Sequence, residues 1–197
     1  MLIRQRQEVL ADVFRYKQLC SSCEFDDFDG KITEKPYGEL IRYSYQLVQL
    51  SNTLDECWEA YLVTPLGSKP NKIALSKWTK YALKLAERAR TPVEAREAQY
   101  NSPPDSEAQR IALVRRKKLC LTSTQAWEEY VNSPLGSEER DDFIFLYIKL
   151  CDTVDQLEYV LGGLSHGSVA RIAVKEKIKQ LQTRADQKKG SEVGCLE

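Results

Sequence analysis

The stretch TSTQAWEEYVNSPLGS, residues 122–137, decides the fold. It opens on a threonine followed three residues later by Gln125. Thr-x-x-Gln is a capping box: the hydroxyl accepts from a free backbone N–H at the start of a helix, and the amide reaches back to another. Pro-Leu-Gly is a turn sequence, and the closing Ser137 can cap a second helix in the same way. The stretch therefore predicts a helix of about ten residues, a tight turn and a second helix.

This pattern occurs four times along the chain. The breaks are TPLGS at 64–68, SPPDS at 102–106, SPLGS at 133–137 and LSHGS at 164–168. A threonine lies fifteen residues before each closing serine, and a glutamate or glutamine follows that threonine by three. The serines are 38, 31 and 31 residues apart, and KYALKLAERAR in the long unit is rich in helix formers. We therefore expect a repeat of helical hairpins, with a longer second helix in the 38-residue unit.

Side chains keep the same register when positions are counted as slots from the closing serine. Slot −10 holds Trp58, Arg96, Trp127 and Glu158. Slot −7 holds Tyr61, Gln99, Tyr130 and Leu161. Slot +6 holds Ala74, Ala112, Phe143 and Val174. Slot +13 holds Tyr81, Leu119, Leu150 and Leu181. These spacings predict one apolar stripe for each helix. A lone hairpin cannot bury its stripe, whereas stacked hairpins bury each other's.

The register extends backwards in weaker form. Tyr37 begins a helix with the slots of a second helix, and Ser22 falls in the position of the capping threonine. The sequence thus predicts an all-α fold, an α-solenoid of stacked antiparallel helical hairpins with about eleven helices. Residues 1–182 would form one α-hairpin repeat domain, with clear repeats over 53–182 and degenerate ones over 1–52. Residues 183–197 lose the stripe and are expected to form a flexible tail.

This repeat resembles the tetratricopeptide-like α-solenoids. Its AWEEY and CWEAY first helices are also similar to the half-a-TPR repeats of RNA-processing proteins. The resemblance implies a scaffold that binds other proteins, usually on a concave face. We therefore expect a protein–protein interaction module with an unknown protein partner.

Composition excludes several other classes. Twenty-nine basic residues balance 29 acidic ones, which favours neither a nucleic acid nor a membrane as an obligatory partner. The N-terminal stretch lacks the apolar segment of a signal peptide, and no apolar run approaches the about 20 residues of a membrane span. Six cysteines without a secretion signal are typical of reduced thiols, so a cytoplasmic location is expected.

Three motifs suggest chemistry, and each has a plainer interpretation. EFDDFDGKITEKP, residues 24–36, resembles an EF-hand loop, but Phe25 and Pro36 would occupy the first and twelfth positions, where carboxylates are needed. Cys20 and Cys23 form a CxxC, yet Cys20 shares slot +14 with other cysteines, which indicates a buried helix seam. His166 lies in a turn without a nearby nucleophile signature. We therefore predict no metal, no cofactor and no catalytic residues, and hence no enzyme.

Basic residues gather on two of the second helices. Lys77, Lys80, Lys84 and Arg88 follow helical spacing, and Arg115 and Arg116 lie on the next second helix. They form either a solvated surface or a partner-binding basic face. The same face is the basis of an alternative function, RNA binding through phosphate contacts.

Overall fold

The computed structural model describes residues 2–23 and 34–193, and within these ranges it is all-helical, without strands. The helices are α1 (Leu2–Cys23), α2 (Glu34–Leu50), α3 (Leu54–Val63), α4 (Lys69–Arg88), α5 (Pro92–Tyr100), α6 (Glu107–Leu119), α7 (Ser123–Asn132), α8 (Glu138–Leu150), α9 (Val154–Leu161) and α10 (Val169–Val193). The predicted all-α class is confirmed. No helix in these ranges combines the length and apolar character needed to cross a bilayer.

The described residues contain ten helices, one fewer than the eleven predicted. The eleventh was expected between Ser22 and Tyr37, as the first helix of a degenerate hairpin. Ser22 instead lies in the last turn of α1, and α2 already begins at Glu34. Residues 24–33, which include most of the EF-hand-like stretch, lie outside the described residues, so the absence of a calcium site stays a prediction.

All four capping threonines are confirmed. Each Oγ1 accepts the backbone N–H of the residue three positions later, at 3.2 Å in the first three repeats and 3.4 Å in the fourth. The glutamate or glutamine at that position accepts the N–H of the residue before the threonine, at 2.7, 2.6, 2.9 and 3.2 Å. The closing serines cap the second helices likewise, at 3.3, 3.2, 3.1 and 3.2 Å. The N–H groups at the start of a helix have no intrahelical acceptor, so these side chains fix where each helix begins.

Slot +3 contributes a further cap that the sequence reasoning missed. In three repeats its side chain donates across the turn to carbonyls at the end of the first helix. The bonds are Asn71 Nδ2 to Tyr61 O at 2.8 Å, Arg140 Nη1 to Ser133 O at 2.9 Å, and Arg171 Nη1 to Leu161 O at 2.8 Å. The last carbonyls of a helix lack intrahelical donors, so these bonds tie the two helices of a hairpin together.

Each break forms a four-residue turn. The N–H of the closing serine donates to the carbonyl three residues earlier, at 3.1 to 3.3 Å. The residue before the serine has positive φ in every repeat: 74° at Gly67, 58° at Asp105, 75° at Gly136 and 81° at Gly167. Positive φ at the third turn position favours glycine, which explains its recurrence there.

The turn glycine can be tested with the same substitution at two sites of opposite character. Gly67→Ala is expected to destabilise the protein by about 1–2 kcal/mol, because alanine is strained in the left-handed region. Gly38→Ala, inside α2, is expected to stabilise it by up to about 1 kcal/mol, because alanine is the better helix former. An added Cβ meets nothing within 4 Å at either position, so backbone preference alone is compared. Urea unfolding measures both, and equal effects would contradict the turn assignment.

The long repeat differs from its neighbours in its second helix, as predicted. Helix α4 has 20 residues, whereas α6 and α8 have 13 each. Helix α10 continues to Val193, so residues 183–193 of the segment expected to be a flexible tail are helical.

Contacts divide the chain into two compact units. Unit 1 comprises Met1–Ala89 and Ala95–Leu113, and unit 2 comprises Arg90–Glu94 and Val114–Glu197. In unit 1, α1 packs on α2 and α3 on α4, while α2 also contacts α3 and α4. In unit 2, α7 packs on α8 and α9 on α10, while α10 also contacts α8. The single domain predicted over residues 1–182 stays a prediction.

Of the predicted stripes, slot +6 of the second helices is confirmed, slot +13 is only half-buried in all four repeats, and the stripe of the first helices lies elsewhere. Every slot +6 side chain is fully buried. In the first helices the buried slots are −11 and −8 rather than −10 and −7. Slot −11 holds Cys57, Ala95, Ala126 and Leu157, and slot −8 holds Ala60, Ala98, Glu129 and Val160. Most of these residues are small, because closely packed helices leave little room between them, and the aromatic residues lie beside the seam.

Candidate functional site

Lys77, one of the predicted basic-face residues, is half-buried and has a structural role. Its Nζ donates to the carbonyls of Val48 at 2.7 Å and Ser51 at 3.0 Å, at the end of α2. Lys177 holds the same slot, +9, and donates to the carbonyl of Lys149 at 3.3 Å, at the end of α8. A cation is favourable at a helix C-terminus, so in these two repeats the slot +9 lysine joins successive second helices.

Lys80, Lys84 and Arg88 remain as exposed basic residues on α4. They are spaced by four residues and lie along one side of the helix. The Lys84 ammonium lies 5.7 Å from the centre of the Tyr81 ring, which partly orients it. These three residues are the part of the predicted basic face in unit 1 that is accessible to a ligand.

Arg116 does not belong to an exposed face. Its side chain is 0% exposed and pairs with the carboxylates of Glu129 and Glu139. Nη2 also donates to the Ser133 hydroxyl at 3.2 Å, and the guanidinium lies 4.5 Å from the centre of the Phe143 ring. A buried guanidinium is tolerated only when its charge and donors are matched, as they are here.

The register explains how Arg116 became buried. Its slot, +10, holds Trp78 in the first repeat, Tyr147 in the third and Ile178 in the fourth. Glu129 holds slot −8, where the other repeats have Ala60, Ala98 and Val160. The Arg116–Glu129 ion pair therefore lies where the second and third repeats meet, in slots that carry apolar side chains in the other repeats. Arg115, the remaining predicted site residue, is half-buried.

Four cysteines have side chains that the structure describes, and all four are free thiols. Cys57, Cys120 and Cys151 are buried free thiols, and half-buried Cys20 packs against the core of unit 1. Burial raises the pKa of all three buried thiols, to about 11 for Cys120, where the Glu129 carboxylate adds to the effect. Among the described residues no three His, Cys, Asp or Glu side chains lie close enough to share a metal ion. His166 is exposed in its turn.

Alkylation kinetics are expected to reflect this burial. With iodoacetamide at pH 8, the three buried cysteines should react at least tenfold more slowly in the folded protein than in urea, because only an accessible thiolate reacts. Raised pKa values lower the thiolate fraction at this pH, so both effects act in one direction. Peptide mass mapping resolves each site, with half-buried Cys20 as the internal reference. Equal rates for Cys20 and Cys120 would contradict the structure.

Unit 1 contains a cleft lined by aromatic residues, with a volume of about 320 Å³. One wall comes from the start of α3, the floor from α4, and the other wall from the end of α5 and its turn. The lining residues are Leu54, Asp55, Trp58, Trp78, Tyr100, Asn101, Ser102 and Pro104. This volume lies at the lower end of the range of about 300–1,000 Å³ that is usual for ligand sites.

The floor and one wall of the cleft are held firmly. Trp78 is nearly buried, packs 5.6 Å from the Tyr61 ring, and donates from Nε1 to the Asn101 carbonyl at 2.8 Å. Ser102 donates to the Ala98 carbonyl at 2.6 Å, which fixes the end of α5. Trp58 and Tyr100, in contrast, are about half exposed. A preformed cleft that keeps two large aromatic side chains in water is suited to binding an apolar or aromatic group.

Asp55 gives the cleft its charge. Its carboxylate is exposed in the first turn of α3, and the lining contains no basic residue. The cleft thus favours a ligand that combines an apolar part with a positive charge.

The chain was compared with protein-family models, with curated proteins and with solved structures, and none of them matches it.

Proposed function

We propose that this chain is a protein–protein interaction module of the cytoplasm, in which helical hairpins stack as a tetratricopeptide-like α-solenoid. Contacts between successive second helices within each unit, α2 with α4 and α8 with α10, support the stacking. Four hairpins with matching caps and turns support the repeat. The binding site of this module is the aromatic cleft of unit 1.

One observation carries the proposal: Trp58 is 48% exposed in the wall of a preformed cleft. A large aromatic side chain that is buried only on binding is the type of residue that dominates interface energies. Its neighbour Cys57 is fully buried and makes the core contact of this turn. A smaller side chain at position 58 would therefore leave the core intact. A binding role accounts for a tryptophan at this position.

The test compares wild type with Trp58→Ala in affinity capture from lysate of the native host, with nuclease present. We expect at least one protein to be retained by the wild type and lost with the variant. Glu59→Ala is not a suitable control because Glu59 pairs with Arg6. Leu62→Ala, at a half-exposed position of the same helix outside the cleft, is the matched control. Identical retention by wild type and Trp58→Ala would exclude the cleft as the binding site.

RNA binding is the second candidate, supported by exposed Lys80, Lys84 and Arg88. Three phosphate contacts with single-stranded RNA predict a salt dependence with a slope of about −2 in a plot of log affinity against log salt concentration. The triple alanine variant should abolish that slope. Lys72→Ala, at an exposed lysine near the start of the same helix, controls for a general loss of charge. Binding unaffected by the triple substitution would rule out this face.

A further inference from the structure

The tryptophan of the cleft has a counterpart in unit 2. Trp58 and Trp127 both occupy slot −10. Trp127 lies in a cluster of tyrosine rings, with centroid distances of 5.2 Å to Tyr130, 5.4 Å to Tyr147 and 6.0 Å to Tyr159. Tyr159 comes from the next first helix, α9, and meets the indole edge-on at 71°. Edge-to-face contact at this distance is a preferred geometry for aromatic pairs.

Unit 1 lacks the corresponding ring. Tyr159 holds slot −9, and the first helix that follows Trp58 has Glu97 in that slot, with its side chain exposed. Tyr100, which lies one turn later on the same side of α5, lines the cleft. The indole surface that a tyrosine of the next helix covers in unit 2 is therefore left open in unit 1.

We propose that the cleft binds an aromatic side chain of another protein, which meets Trp58 as Tyr159 meets Trp127. A lysine or arginine next to that side chain pairs with Asp55. The inference rests on the proposed function, because it specifies the ligand of the same cleft. The ligand is a short segment of a protein with an aromatic residue flanked by basic ones.

Charge favours a peptide over a nucleic acid at this site. A nucleobase could also stack on Trp58, but its phosphates would then lie near the carboxylate of Asp55, and like charges repel. The exposed basic residues of α4 are not among the residues that line the cleft. An arginine or lysine side chain, in contrast, can pair with the Asp55 carboxylate and lie against the indole.

The probe is a synthetic heptapeptide, Gly-Gly-Arg-Tyr-Arg-Gly-Gly, acetylated and amidated. Heteronuclear NMR of ¹⁵N-labelled protein resolves the three indole N–H signals, each assigned with a Trp→Phe variant. At about 10 mM peptide, well above a millimolar dissociation constant, the Trp58 signal should shift and the Trp127 signal should not. Two control peptides replace the tyrosine by leucine or both arginines by glutamate, and each should bind at least tenfold more weakly.

Two variants exchange the character of the two sites. Tyr159→Ala removes a side chain that is 75% exposed, so the fold should persist. It uncovers Trp127, whose indole signal should then respond to the peptide as well. Glu97→Tyr, at an exposed position, supplies the missing ring to unit 1 and should weaken the Trp58 response at least tenfold.

Several results would overturn the inference. They are an unshifted Trp58 signal, equal shifts with the tyrosine and leucine peptides, a silent Trp127 in Tyr159→Ala, or a Trp58 shift with oligoadenylate but not with peptide. The proposed function fails separately, through capture that does not depend on Trp58. The protein could also capture a partner through Trp58 and yet not bind the tyrosine peptide. That result would support the interaction module and contradict the aromatic ligand.

Discussion

Arg116→Met is expected to destabilise unit 2 by about 3–5 kcal/mol, because it leaves the buried Glu129 carboxylate without a counter-ion. Peptides from α7 and α8 should then exchange amide hydrogens about two to three and a half orders of magnitude faster, since each 1.4 kcal/mol is a factor of ten. Hydrogen exchange followed by mass spectrometry measures this locally, and peptides from α1 and α2 serve as the internal reference.

Two further variants show whether the missing charge is the cause. Lys118→Met removes an exposed charge from the same helix and should change stability by less than about 0.5 kcal/mol. The double variant Arg116→Trp, Glu129→Ala installs the pair of residue types that Trp78 and Ala98 represent in the corresponding slots. It should be more stable than Arg116→Met alone, because the fully buried Glu129 carboxylate is removed together with its counter-ion, and the Glu139 carboxylate at the edge of the site keeps the Ser133 hydroxyl as a donor. A double variant as unstable as the single one would show that shape, not charge, governs this interface.

Trp78→Ala is expected to cost unit 1 about 3–5 kcal/mol, since the side chain is only 6% exposed and the cavity left behind cannot be filled by its neighbours. It also leaves the Asn101 carbonyl without its donor. Trp78→Phe keeps an aromatic ring and removes the N–H, and should cost more than the about 0.5–1.5 kcal/mol of a hydrogen bond but less than the alanine change. Urea unfolding of each variant provides the free energies.

The matched control for Trp78 is Trp58→Ala. The same change of residue type at this half-exposed position should cost under about 1.5 kcal/mol, because much of the indole is already in water. Trp78 is thus expected to determine stability, whereas Trp58 is the residue proposed to bind a partner. Similar losses of stability at the two positions would contradict the description of the cleft.

The hairpins could be predicted because their ends depend on local chemistry. A threonine with an acid or amide three residues later fixes the start of a helix through bonds within one turn, so the pattern is visible in four consecutive residues. Gly136 likewise acts through its own φ. No distant contact is needed for either, and both appeared in the structure as expected.

The buried face of the first helices was misplaced for a physical reason. Large aromatic residues such as Trp58 attract attention in a sequence, but the seam between close helices admits mainly small ones such as Ala60. Slots −11 and −8 repeat Ala and Cys often enough that the seam was visible in principle. Size, rather than hydrophobicity, was the missing criterion.

Arg116 was assigned to the surface because its surroundings in the sequence, RRKK, are those of a solvated helix. Its partner Glu129 lies 13 residues away on another helix. Only the comparison of slots +10 and −8 would have shown opposite charges replacing apolar residues where the second and third repeats meet. The aromatic cleft depends on how the end of α5 meets α4, which no local pattern contains.

The ion pair of Arg116 also bears on how a repetitive chain avoids mispairing with itself. Repeats with interchangeable seams can dock one step out of order or exchange hairpins between molecules. If α7 docked against the Trp78 position of α4, the Glu129 carboxylate would be buried without a counter-ion, a penalty of several kcal/mol. The buried charge thus makes docking specific, because it destabilises a wrong pairing of hairpins more than it stabilises the correct one.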